Sequence, residues 1–207
     1  MGSRARVLAV FRRTGLLLKQ DKALPNLVSV ITGESLSASW WSHPRASEIY
    51  SALEQLATRT DVIETKLLAG KVTFVLEPLW PALLAVATCR EPWQLASLSL
   101  TAKSLLTRVE RARELEASGA VVKELEKRLL LRTIQRHTAS GKHVLVLESW
   151  ARWGERSAVK ALPVSEAKAT LEQAVTALGA PLAALPWQAR QRAQPAAATM
   201  RRRTNAR

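Results

Sequence analysis

WWSHPRASEIYSALEQLATRTDVIETKLLAGKVTFVLEPLWPALLAV, residues 40–86, packs helix, hairpin and helix signals into one short stretch. After Pro44, apolar side chains fall at Ala46, Ile49, Tyr50, Leu53, Leu56 and Ala57. That is the spacing of one buried helix face, and Pro44 suits the entry. Residues 62–68 and 72–76 are rich in β-branched side chains and flank Ala69, Gly70 and Lys71, which predicts two short strands joined by a glycine-containing turn. Lys66 and Lys71 are expected to project from that hairpin. Residues 77–88 then carry Leu79, Trp80, Leu83, Leu84 and Val86, an apolar helix with Pro78 and Pro81 in its first turn.

Upstream, residues 5–19 predict a helix that breaks at Gly15 into an extended segment at 16–18, and residues 25–31 a second helix closed by Gly33. Downstream, residues 99–112 predict a helix with Leu100, Leu105, Leu106 and Val109 in period and Ser99 or Thr101 as its cap. Residues 120–136 read as one continuous helix, burying Val122, Leu125, Leu129 and Leu130, with Glu124 and Arg128 as an i, i+4 pair. The apolar run 144–147 fits a strand or the start of another helix, and its length does not choose between them. Pro163 opens the last helix, ended by Gly179, Ala180 and Pro181. The sum is an α+β, mainly helical chain with short β-hairpins. It divides into units 1–97 and 98–187, followed by a basic tail, 188–207, that is expected to be disordered.

The chain has 207 residues, 47% of them apolar, enough to bury a core. A single cysteine, Cys89, excludes an intramolecular disulfide framework. No run of 18 apolar residues predicts a membrane span, and residues 7–18 are interrupted by Arg12 and Arg13, unlike a secretory signal. A cytoplasmic, nucleoid-associated protein is expected. The net charge of +14 is concentrated at the ends. Residues 1–22 hold six basic and one acidic side chain and residues 188–207 six basic and none acidic, whereas residues 23–187 hold nineteen against sixteen. Such ends supply salt-dependent affinity for phosphate more than recognition.

A helix followed by a basic hairpin is how many winged-helix proteins meet DNA, the helix in a groove and the hairpin on phosphate. The order Gly33-Glu34, Ser37 and Ser39-Trp40-Trp41, then Lys66-Leu67-Leu68, Gly70-Lys71 and Thr73-Phe74-Val75, then residues 79–86, resembles winged-helix proteins related to the AlkZ and YcaQ type of DNA glycosylase, over roughly residues 15–90. The resemblance implies tandem winged-helix-like units and binding to DNA, expected to be double-stranded. Those glycosylases use a Gln-x-Gln or Gln-x-Asp motif, and none of Gln20, Gln55, Gln94, Gln135, Gln173, Gln188, Gln191 or Gln194 stands in such a triplet.

Trp40 and Trp41 are candidates for a base-stacking platform, against the reading of one core ring and one partly covered ring. His43 beside them is a candidate general acid or base, with no carboxylate near it in sequence to orient it; the alternative is a turn histidine bonded to backbone. The helix from Arg45 is a weak reading helix because Glu48 and Glu54 lie on its outward face. Phosphate contact is expected from Lys66 and Lys71 on the hairpin, and from Arg128, Arg132 and Arg136, which recur every four residues, with Lys123 and Lys127 flanking. Lys142 adds a donor, and His137 and His143 are further acid–base candidates across a glycine turn, too loosely spaced to predict a metal site. No phosphate-loop or dinucleotide signature occurs, so no cofactor is implied. The expected function is non-enzymatic DNA binding. The alternatives are a glycosylase-like repair enzyme using one of these histidines, and a protein-interaction module presenting Trp80 and Trp93.

Overall fold

The computed structural model describes residues 2–112, 114–137 and 143–189, with only the backbone of Arg4, His137, His143 and Ala189. Helix α1, Ser3–Thr14, ends where Gly15 turns left-handed (φ 69°) and its N–H bonds the Phe11 carbonyl. Only glycine fits there, because a Cβ would stand 2.7 Å from Leu79 Cδ1. Strand β1, Leu16–Leu18, follows directly. Helix α2, Leu27–Thr32, begins at a capping box formed by Asn26 and Ser29 and closes at Gly33. Helix α3, Ala46–Ala57, leads into β2, Val62–Leu68, and β3, Lys71–Leu76. Ala69 and Gly70 both have positive φ, 51° and 65°, the mark of a two-residue hairpin turn matched to strand twist. The sheet is antiparallel in the order β1-β3-β2.

Period-2 alternation divides this sheet between two cores. Leu17 and Phe74 pack with Val7, Phe11, Leu27, Ile31, Ile49 and Leu56 beneath α1, α2 and α3. Leu16, Leu18, Ile63, Leu67 and Val75 face the other way, against α4, Trp80–Thr88. With apolar cover on both faces, β1 reads as an unbroken Leu-Leu-Leu rather than an alternating strand. Helix α4 is buried nearly all round, which is why its sequence is apolar on every side.

The second half opens with α5, Pro92–Leu95, and α6, Leu100–Arg111, capped by Ser99. Strand β4, Leu115–Glu116, helix α7, Ala120–Lys127, and strands β5, Arg132–His137, and β6, His143–Glu148, come next. Their sheet is again antiparallel, ordered β4-β6-β5. Helix α8, Trp150–Arg156, is capped by Ser149, α9 is Val164–Leu178 and the short α10 is Pro186–Ala189. Gln188 therefore belongs to a helix, and the expected disorder at 190–207 falls outside the described residues. The chain is α+β and mainly helical, with two small antiparallel sheets among the described residues.

The two halves share a core. Trp150, Trp153, Leu171 and Val175 from the second half join Leu16, Val75, Leu83 and Val86 from the first. Helix α8 approaches α4 through Gly154, where a Cβ would lie 2.6 Å from Leu84 Cδ2.

The continuous helix expected over 120–136 is corrected: α7 stops at Lys127. Leu129 adopts a left-handed φ of 51°, and the N–H of Leu130 reaches back to the Leu125 carbonyl. This is a Schellman-type end without the usual glycine. Burial of Leu129, Leu130 and Leu131, together with pairing of 132–137 against β6, outweighs local helical preference. The run 144–147 is the strand alternative.

Candidate nucleic-acid interface

Trp40 and Trp41 lie on a 3-10 turn, Trp40–Ser42, capped by Ser39. Their rings stack 4.0 Å apart at 25°. Trp40 is 4% exposed and Trp41 64%, the core-and-cover arrangement rather than a double platform. Tyr50 of α3 stands 6.1 Å from Trp41 and is also largely exposed.

His43 has an orienting carboxylate after all. Glu34, nine residues upstream, brings Oε1 to 3.2 Å from Nε2, while Nδ1 accepts from the Arg45 N–H at 3.1 Å. An Nδ1 that accepts places the proton of the neutral ring on Nε2, facing Glu34. Both ring nitrogens are thus used within the turn, leaving no lone pair turned toward a substrate. Arg45 in turn bonds the Ile31 carbonyl, the Ser3 hydroxyl and Glu48, pinning the start of α3 to α1 and α2.

The first hairpin does not project as expected. Lys66 Nζ donates to Glu126 Oε2 at 2.6 Å, with both side chains largely covered, and Thr133 donates to the other oxygen. The Ala69 N–H bonds the Ala184 carbonyl at 2.7 Å. The physical reason is the burial of Leu67 and Leu68, which draws this hairpin against the second half. Lys71 pairs with Asp21, whose carboxylate also accepts from the amides of Ala23 and Leu24.

Burial pushes the Asp21 carboxyl up, but Lys71 and the two amides together hold it below the ordinary carboxylate range. A folded-state value lowered in this way adds stability above the unfolded value of about 4, and that contribution disappears as pH falls through the folded value. Urea midpoints followed below neutrality should drop for the wild type at acid pH. Asp21→Asn should be weaker at neutral pH and flatter below it. Parallel acid limbs would show that Asp21 is not ionised in the pair.

The arginine stripe is corrected as well. Arg128 caps α7, while Arg132 and Arg136 lie on β5. Arg128 is i, i+4 from Glu124, as expected, at 3.9 Å, and its guanidinium donates to the carbonyls of Gln94 and Ala96. The amide of Gln94, fully buried, returns bonds to the carbonyls of Ala87, Arg128 and Leu129. Sequence reading gave no signal for this clamp. Arg132, largely covered, pairs with Glu148 at 3.0 Å. Arg136 makes a two-pronged pair with Glu114, at 2.7 and 2.8 Å, and is half exposed. His137 and His143 pair across the end of the second hairpin, while their side chains and Lys142 lie outside the described residues.

Trp80 and Trp93, the partner surface of the interaction-module alternative, are 9% and 8% exposed and belong to the core. Burial raises the Cys89 thiol above its ordinary value, which disfavours a thiolate nucleophile. Among the described residues no helix is long and apolar enough to cross a membrane. No family model, curated protein or solved structure matches the chain.

Proposed function

We propose that this is a non-enzymatic DNA-binding protein of two winged-helix-like units, meeting duplex phosphate through its second unit and its basic ends. The observation that carries the reading is a repeated connectivity. In the first half α1, β1, α2 and α3 precede the hairpin β2-β3, and in the second α6, β4 and the single helix α7 precede β5-β6; in both, the hairpin's last strand lies beside the first strand, giving β1-β3-β2 and β4-β6-β5. That order supports the winged-helix reading, in which a hairpin beside a helix touches the DNA backbone. The net charge of +14 supports an anionic partner, and association with the chromosome follows from the same reading.

The two hairpins are unequal. The first is fastened to α7 and Ala184, whereas the second carries the half-exposed Arg136 toward residues 138–142. A solvent-exposed pair such as Arg136 and Glu114 is worth little, so exchanging Glu114 for a phosphate oxygen costs little. Helix α3 is not assigned to a groove because Glu48 and Glu54 face outward beside Ser47 and Ser51.

Anisotropy of a labelled duplex across a salt series tests this. Log affinity should fall linearly with log salt. Replacing Arg201, Arg202 and Arg203 by glutamine should reduce the slope by roughly 3, and Arg136→Glu by about 1 or slightly more. No binding at low salt, or unchanged slopes in both variants, would sink the reading. The exposed pair Trp41 and Tyr50 favours a second reading, a protein partner on α3, for which capture should survive nuclease and be lost in Trp41→Ala.

A further inference from the structure

Helix α6 buries Ala102, Leu105, Leu106 and Val109 in the core of the second half. Its opposite side carries Leu100, Ser104, Thr107 and Arg111 at three- and four-residue steps, with Lys103 and Arg108 on the two shoulders, and all six are exposed. Glu110, the acid of this helix, lies two turns along the Lys103 shoulder and is paired with Arg90. Among the described residues Lys103, Arg108 and Arg111 have no acidic partner.

A helix C-terminus favours cations, which is reason enough for an arginine in the last turn of α6. It does not account for the cations that the fold adds there. Arg152 of α8 donates to the Ala112 carbonyl at 2.5 Å, bringing another guanidinium to the end of α6. Two residues further on, Glu114 is held by Arg136 of β5, and the Arg136 bond with the added charge of Arg156 keeps its carboxyl below the ordinary range. The cations thus form one track, from Lys103 along α6 through Arg111 and Arg152 to Arg156 and to Arg136 on the second hairpin. The acids Glu110, Glu114 and Glu148 along it each bond an arginine, and Glu116 of β4 borders it near Arg136.

From Lys103 to Arg111 the helix rises about 12 Å. Over that length of axis a duplex presents about seven phosphates. The side chains between the cations, Ser104 and Thr107, are short, so a phosphate backbone can come close.

We propose that duplex DNA lies against the outer face of α6, with phosphates at Lys103, Arg108 and Arg111, and runs from there over Arg156 to Arg136. This rests on the duplex-binding reading and names the surface of the second unit that carries it.

Anisotropy of a labelled duplex, read across a salt series with the full chain, tests the surface. The triple variant Lys103→Gln, Arg108→Gln and Arg111→Gln should lower the salt slope by roughly 2.7 and the affinity at low salt by about tenfold or more. Three exposed lysines outside the track, Lys123, Lys127 and Lys160, changed together to glutamine should leave the slope nearly as it is. Glutamine is a good helix former, so circular dichroism should find the first variant folded. In the wild type, independently of any variant, a saturating duplex should slow acetylation of Lys103 severalfold and leave Lys160 as reactive as before. A wild type that does not bind duplex at low salt overturns the duplex reading and this surface with it. Binding whose slope is unchanged in the first variant, or falls equally in both, or that leaves Lys103 fully reactive, overturns this surface alone.

Discussion

Replacing Glu148 by alanine lowers the stability of the folded chain by about 3–5 kcal/mol, the cost of leaving a buried charge without its counter-ion. Glu148 closes β6, and its side chain is 8% exposed. It accepts from Arg132 at 3.0 Å, and from Arg156 at 2.9 and 3.0 Å. Arg132 is nearly as buried, and its guanidinium stands 5.7 Å from the centre of the Trp153 ring. Burial pulls the Arg132 guanidinium below its ordinary value, with Glu148 opposing. An arginine does not give up its proton at working pH, so without Glu148 the site must open to water. Urea unfolding measures the loss. The double variant Glu148→Ala with Arg132→Met should recover much of it, because an apolar replacement of a buried pair is close to neutral. A loss below about 1 kcal/mol in the single variant would mean that the pair is solvated.

Trp153→Ala should cost a similar amount, about 3–5 kcal/mol, and its second consequence tells more about the architecture. The Trp153 ring meets Trp80 of the first half edge-on at 5.4 Å and Trp150 at 5.5 Å. All three sit in the core that both halves build together. Weakening a shared core lowers the whole chain at once, so the variant should unfold in one transition, with far- and near-ultraviolet circular dichroism coincident. Two separated transitions would mean that each half stands on its own core.

Much of the backbone is legible where a single residue dictates it. Gly15 and Gly33 end α1 and α2, and Ala69 with Gly70 forms the first hairpin turn, because the required dihedrals leave few alternatives. The stacked tryptophans also follow from local sequence, as two adjacent indoles cannot both be covered by one 3-10 turn. What sequence conceals is the fate of each charge. Lys66 meets Glu126 sixty residues away and Lys71 meets Asp21 fifty away, separations that no periodicity reveals. The end of α7 is hidden for a related reason. Leu129 takes a left-handed dihedral that its residue type disfavours, and three consecutive buried leucines enforce it. Once α7 ends there, the four-residue recurrence of Arg128, Arg132 and Arg136 no longer describes a face.

The central proposal is that duplex DNA meets the second hairpin and the basic ends, while the first hairpin serves as a tie between the halves. Amide hydrogen exchange with and without a saturating duplex compares the two hairpins directly. Slower exchange in β5 and β6 and at the chain ends, with β2 and β3 unchanged by DNA, is the predicted result. Protection confined to β2, β3 and their turn would contradict it.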